Sequence, residues 1–249
     1  MSALIRFEKV AVTPPGWEAP LFHEVSFSVA GGELLALTGP SGTGKTLLLK
    51  AACGLVPISA GSIFVGEESI DQAGDIELFA IRRRIGMLFQ QGALFDTLSV
   101  LQNVAFPLLR RGISQDLARE RALIELERVS LSRAKDLLPA ELSGGMRKRV
   151  GIARALVADP PVALFDEPIA GLDPVTGARI LDLVRTACDN RGVAAIVVGH
   201  ETDTLLPACD SAGILLGGNL AHFETALAAR QAKDPAVRQL MTGSLEGPL

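Results

Sequence analysis

The chain has 249 residues, of which 48% are hydrophobic and 21% charged, with a formal net charge of −4. That composition excludes a disordered chain, and the acidic balance argues against nucleic acid as a partner. The length suits one sizeable α/β domain with a smaller inserted lobe. A mean hydropathy of +0.33 predicts a large core plus some apolar surface that a partner covers. No apolar run reaches the roughly 18 to 20 residues that a membrane span needs. The opening MSALIRFEKV lacks the basic-then-apolar pattern of a signal, so export is not expected. Cys53, Cys188 and Cys209 form no CxxC and read as reduced, packed thiols. His23, His200 and His222 have no metal-site spacing. Basic clusters at Arg82-Arg83-Arg84 and Arg147-Lys148-Arg149 read as solvated helix or strand-edge charge.

Leu4–Val12 alternates and predicts a strand, closed by a turn at Pro14-Pro15-Gly16; Leu21–Val29 alternates again. Glu33–Thr38 is a short apolar strand that runs into GPSGTGKT and then a helical run, Leu47–Cys53. Gly61–Val65 and Ile85–Phe89 predict further strands. From about Thr97 to Ala158 the pattern is helical, with an amphipathic helix over Asp116–Val129 and Ser114 as a nearby N-cap. Strands return at Val162–Phe165 and Val193–Val198, separated by a helix over Val175–Cys188, so the two strands should be parallel. The expected organisation is one domain over residues 1–249. Its nucleotide-binding α/β core spans 1–92 and 156–223, a helical lobe 93–155, and a tail 224–249.

Gly39, Pro40, Ser41, Gly42, Thr43, Gly44, Lys45 and Thr46 match GxxxxGK[ST] between a strand and a helix. Glycines let backbone N–H groups converge on phosphate oxygens, and the following helix points its positive end at the anion. Lys45 would neutralise the outer phosphates, and the Thr46 hydroxyl would be a Mg²⁺ ligand. This motif alone admits kinases, GTPases and transport ATPases. Downstream, Val162–Phe165 ends in Asp166-Glu167, at the edge where a parallel sheet binds its ligand. Asp166 would hold Mg²⁺ through water, and Glu167 would orient or deprotonate the attacking water. Leu142-Ser143-Gly144-Gly145-Met146 precedes a third helix, with Ser143 as an N-cap type and glycines exposing N–H groups. One nucleotide needs one such cradle, so this second one should serve another nucleotide.

On these motifs the chain resembles the ABC transporter ATPase family, whose signature is usually LSGGQ. The order is the family's. It runs from the phosphate loop to Phe89-Gln90, the signature and the acidic strand end, then to Gly171-Leu172-Asp173-Pro174 and His200. The resemblance implies a P-loop core with an N-terminal antiparallel β subdomain and an inserted helical subdomain. It implies two ATPs held head-to-tail between two copies, with Ser143 and Gly145 on the γ-phosphate of the other copy's ATP and Asp173 bridging the copies. Gln90 would sense Mg²⁺ and attacking water, and His200 would contact the γ-phosphate. An adenine-stacking aromatic is usual near the N-terminus; Trp17 is either that platform or a packed surface residue. Leu47, Met146 and Gly199 depart from the family pattern, Leu47 removing one α-phosphate hydroxyl contact, but none removes a group that hydrolysis needs.

The stretch Gly86–Asp96, continuing to Asn103–Leu108, is similar to the ATPase of MCE-type lipid transporters, which maintain outer-membrane lipid asymmetry in Gram-negative bacteria. LSGGM and the tail Asp234–Leu240 share that likeness, although Leu240 stands where a phenylalanine is expected. This implies a peripheral subunit on the cytoplasmic side of the inner membrane. It would drive a multi-pass permease with a periplasmic MCE-domain protein and a phospholipid cargo. An ABC ATPase for another cargo, a soluble P-loop kinase, and a non-transport ABC protein are the alternatives. Ala93, Leu94, Phe95, Leu98, Val100, Val104, Phe106 and Leu108 read either in part as a groove for a permease helix or as core of the helical lobe.

Overall fold

The computed structural model describes residues 3–90 and 93–248; Gln91 and Gly92 of the lipid-transporter-like stretch lie outside the described residues. Strand β1 (Ala3–Val12) pairs antiparallel with β2 (Phe22–Ala30) and β4 (Ala60–Val65), and β4 with the short β5 (Glu68–Ser69). Alternation along β1 and β2 buries Ile5, Phe7, Val10, Phe22, Val25 and Val29, so this four-stranded sheet, ordered β2-β1-β4-β5, has one covered face.

The second sheet is built from strands without alternation. β3 (Leu34–Thr38), β7 (Val162–Asp166) and β8 (Ala194–Val198) are buried at every residue, as parallel strands covered on both faces must be. With β6 (Ile85–Leu88), β9 (Ser211–Leu216) and β10 (Asn219–Phe223) they form a sheet of order β10-β9-β3-β8-β7-β6. All neighbours are parallel except the β9–β10 hairpin. The register places Leu37 beside Val198 and Asp166 beside Val198. The carboxyl ends of β3, β7 and β8 therefore share one edge, where parallel sheets bind ligands.

Three apolar clusters follow. One lies between the two sheets and includes α1 (Lys45–Ala52). A second fills the opposite face of the parallel sheet, under α6 (Pro174–Arg191), the short α7 (Thr202–Leu205) and the C-terminal helices α8 (Ala226–Arg230) and α9 (Pro235–Thr242). Ala229 and Val237 are buried there, so residues 226–242 pack on the sheet. A third sits inside an all-helical lobe of α3 (Val100–Arg110), α4 (Gln115–Arg128) and α5 (Gly144–Leu156). Val100, Val104 and Leu108 belong to it, whereas Phe95 remains exposed and packs on Phe106 with ring centroids 4.6 Å apart. Buried Asn103 organises the approach to this lobe: its amide bonds Phe95 N, Phe95 O, Leu98 O and Ser99 O. No helix among the described residues is long and apolar enough to cross a membrane.

Several elements depart from the sequence reading. Helix α2 (Asp75–Arg82) has no counterpart in the sequence reading; it turns Leu78 and Ile81 toward the core while exposing Ile76 and Phe79. Ser114 occupies the N-cap of α4 without donating or accepting a capping bond. On the neighbouring helix α3 the cap is Ser99, whose Oγ accepts from Gln102 N while Gln102 Oε1 accepts from Ser99 N. The basic clusters are also not merely solvated. Arg82 donates to Cys53 O and Gly54 O, Arg84 to Val65 O, Arg147 to Leu142 O and Arg149 to Val129 O. Each ties two chain segments together through main-chain carbonyls. Burial pushes the thiols of Cys53, Cys188 and Cys209 up to about 12, as expected of inert packed cysteines.

Candidate functional site

The phosphate loop leaves the end of β3 and turns directly into α1. Gly39 lies at φ 146°, and a Cβ there would stand 2.3 Å from Leu215 O of β9. Only glycine fits, because the loop passes against the neighbouring strand's backbone. Gly44, at φ 101°, presses on Leu21 and Phe22 of the antiparallel sheet, so both sheets shape the loop. Lys45 is buried; its Nζ donates to Gly39 O at 2.9 Å and Pro40 O at 2.8 Å, which spans the loop from inside. Burial lowers its pKa, opposed by the Glu167 and Asp166 carboxylates.

Thr46 donates from Oγ1 to Asp166 Oδ1 at 2.9 Å, which links the start of α1 to the end of β7. Burial raises the Asp166 pKa against that hydrogen bond and the charges of Lys50 and Lys45. Glu167 is the next residue and has a left-handed backbone, φ 54°. That conformation costs a non-glycine residue about 1–2 kcal/mol, so it must be held from outside. Its N–H donates to Val198 O at 3.0 Å, and its carbonyl accepts from Lys148 Nζ at 2.8 Å. The carboxyl pKa rises to about 7, chiefly through burial and then through the Glu201 charge. Its Oε1 lies 3.2 Å from His200 Nε2, while Oε2 is buried without a hydrogen-bond partner among the described residues. A buried carboxylate oxygen in this state fits a donor that arrives with substrate, such as an oriented water. Burial and the Lys45 charge hold the His200 pKa below its ordinary value.

Ser41, Gly42, Gly44, Lys45, Thr46, Gln90, Glu167 and His200 line a single cavity of about 390 Å³, joined by Lys50 and Leu47. Residues from four separated segments thus converge at the carboxyl edge of the parallel sheet. Among the described residues no group of three or more His, Cys, Asp or Glu side chains is placed to hold a metal. Thr46 and Asp166 instead present adjacent oxygens beside the phosphate loop, and Mg²⁺ ordinarily binds through one or two such groups plus phosphates and water.

The signature residues stand elsewhere. Ser143 caps α5 and accepts from Met146 N at 3.2 Å, with Gly144 beginning the helix. Gly145 faces α6: a Cβ there would meet Thr176 Cγ2 at 3.3 Å. Asp173 caps α6, accepting from Val175 N and Thr176 N, and these hydrogen bonds, led by Thr176, hold its pKa below the usual carboxylate value. None of Ser143, Gly144, Gly145 or Asp173 lines the cavity. Trp17 lies in the turn after β1 and is 59% exposed. Sequence reasoning missed Lys50, Lys148 and Glu201. Only Glu201, beside His200, carried a signal, by adjacency.

Residues 22–170 match the ABC transporter family. The intermembrane phospholipid transport system ATP-binding protein MlaF of Escherichia coli K12 is 36% identical over 230 residues, 92% of this chain and 86% of that protein. The probable ribonucleotide transport ATP-binding protein mkl of Mycobacterium tuberculosis H37Rv is also 36% identical over 92% of this chain, but over 64% of its own length. A dimeric structure of a post-hydrolysis state of the ATP-binding cassette MJ0796, bound to ADP and Pi, superimposes with TM-score 0.81 and 31% identity, over 89% of this chain and 98% of that one. With the strand–loop–helix cradle and the acidic strand end converging on one cavity, these likenesses leave a single assignment: the chain belongs to the ABC transporter family, as an ATP-binding, ATP-hydrolysing subunit.

Proposed function

We propose that this subunit powers phospholipid transport between membranes through a separate multi-pass permease, with a periplasmic MCE-domain protein as a further partner. The carrying observation is the breadth of the likeness to MlaF, 36% identity spanning 86% of that protein. The equally identical mycobacterial protein is matched over a smaller share of its length, so ribonucleotide or another solute is the second reading. In this proposal the chain sits on the cytoplasmic side of the inner membrane. Residues 1–92 and 156–223 form the core, 93–155 the signature lobe and 224–249 the tail.

ATP would lie with its phosphates on Gly39–Thr46, its outer phosphates against Lys45, and its adenine near Trp17, whose exposure suits a stacking face. Mg²⁺ would be held by Thr46 and Gln90, with Asp166 behind them through water, and when bound it supplies charge neutralisation on the phosphates. Glu167 would orient the attacking water and accept its proton at Oε1 or Oε2, His200 steadying the carboxylate from 3.2 Å. Ser143, Gly144, Gly145 and Asp173, which lie outside the cavity, would meet the ATP of a second copy, and catalysis would need the head-to-tail pair.

The test is a pull-down of the Glu167→Gln protein from native membranes, with mass spectrometry of bound proteins and lipid. Co-purification of a multi-pass permease, an MCE-domain protein and enriched phospholipid supports the proposal. A permease with a solute-binding protein and no enriched lipid overturns the cargo.

A further inference from the structure

Lys148 is half-buried on α5, the helix that Ser143 caps. Its ammonium feels the charges of Glu201 and Glu167, but its hydrogen bonds go to main-chain oxygens. Nζ donates to Glu167 O at 2.8 Å and to Ala170 O at 2.7 Å. These carbonyls bracket the segment between the end of β7 and Asp173. Charge-assisted bonds to two carbonyls are stronger and more directional than a surface ion pair. One of them belongs to the residue whose left-handed backbone needs external support, φ 54°. The other end of that residue is fixed by Val198 O of β8. Glu167 is thus pinned from two directions, by the parallel sheet through its N–H and by the signature helix through its carbonyl.

We propose that Lys148 is a positioning residue for hydrolysis, fixing the backbone of Glu167 from the signature helix and so coupling the two nucleotide sites of a dimer. The proposal rests on the reading above that Glu167 orients the attacking water. α5 would present Ser143 and Gly145 toward the nucleotide of a second copy, while Lys148 on the same helix holds the main chain of the residue whose carboxylate serves this chain's own nucleotide. A shift of α5 on engaging the second copy's ATP is then carried to Glu167 through one side chain. Gly145 on the same helix faces the first turn of α6, where an added Cβ would meet Thr176 Cγ2 at 3.3 Å.

The experiment compares Lys148→Met, Lys148→Arg, Glu167→Gln and the double variant Lys148→Met/Glu167→Gln in the full transporter complex. It reads kcat, KM for MgATP, nucleotide affinity and the unfolding midpoint. Lys148→Met keeps the buried stem but loses the donor. Its kcat should fall on the order of ten- to a hundredfold, with ATP affinity within about twofold of the parent. Lys148→Arg, which still donates to both carbonyls, should recover most of the rate. The double variant should hydrolyse no more slowly than Glu167→Gln alone, because both changes act on one group. A purely structural lysine would lower the unfolding midpoint without that kcat-specific loss. Unchanged kcat in Lys148→Met, no rescue by arginine, or a further drop in the double variant overturns the proposal. Should Lys148→Met not fold, the arginine variant and Lys148→Gln, with its shorter donor and an expected intermediate kcat, carry the same comparison. Wild-type turnover in Glu167→Gln alone instead overturns the role given to Glu167, a separate outcome.

Discussion

Glu167 is buried with its carboxyl pKa raised from 4.5 to about 7, and this makes Glu167→Gln a test of stability as well as of turnover. The folded-state value lies above the unfolded one, so the folded protein keeps the proton to higher pH. The advantage of the neutral form is complete below about 4.5 and is lost as pH rises through about 7. Each pH unit of that interval is worth about 1.4 kcal/mol, so ionisation withdraws roughly 3 kcal/mol from the nucleotide-free protein. Glutamine has the same shape and does not ionise. Relative to the parent, Glu167→Gln should therefore gain stability between pH 5 and pH 8, by up to roughly 3 kcal/mol. Urea unfolding of both proteins without nucleotide at pH 5, 6, 7 and 8 reads the difference. The same variant should bind ATP, hydrolyse it poorly and accumulate as an ATP-bound dimer. A stability gap that stays constant across the pH range would refute the argument that burial and Glu201 destabilise the carboxylate.

Two further substitutions probe the frame around the site. Gly39→Ala would place a methyl 2.3 Å from Leu215 O; the protein should lose about 1–3 kcal/mol of stability and most of its ATP affinity, measured by unfolding and by nucleotide titration. Arg191 donates to both oxygens of buried Glu125 at 2.8 Å and joins α6 to α4. Arg191→Ala leaves that carboxylate only Arg128 and should cost about 3 kcal/mol, whereas Arg191→Met combined with Glu125→Met should cost less, which unfolding curves of the two proteins decide.

What was legible in the sequence was what is contiguous in it. The phosphate loop and Asp166-Glu167 announce their chemistry because strand, loop and carboxylates follow one another, and the buried strands β3, β7 and β8 show as short apolar runs. Gln90 and His200 are different. Each is a single polar residue, and only the family resemblance marks it, while the fold brings both to the cavity. Lys148 was unreadable because a lysine in a basic triplet looks the same whether its ammonium meets water or two carbonyls. Helix α2 escaped because its exposed Ile76 and Phe79 blur the periodicity, and Asn103 because an amide in a helical pattern does not reveal that it is buried and fully bonded.

The strand order has a consequence for how the chain is made. β3 carries the phosphate loop, yet its two hydrogen-bonded neighbours are β8 and β9. On the ribosome, β3 therefore emerges long before either flank exists, and Gly39 cannot reach its seat against Leu215 until β9 has left the exit tunnel. Nucleotide cannot act as a template for the early half of the chain, because the cradle is finished only once β9 has been synthesised. Such long-range closure slows folding and prolongs the exposure of apolar strands. ATP would then stabilise the completed subunit rather than guide its assembly, and a chain cut before residue 211 would hold the whole GxxxxGKT motif without the strand that shapes it.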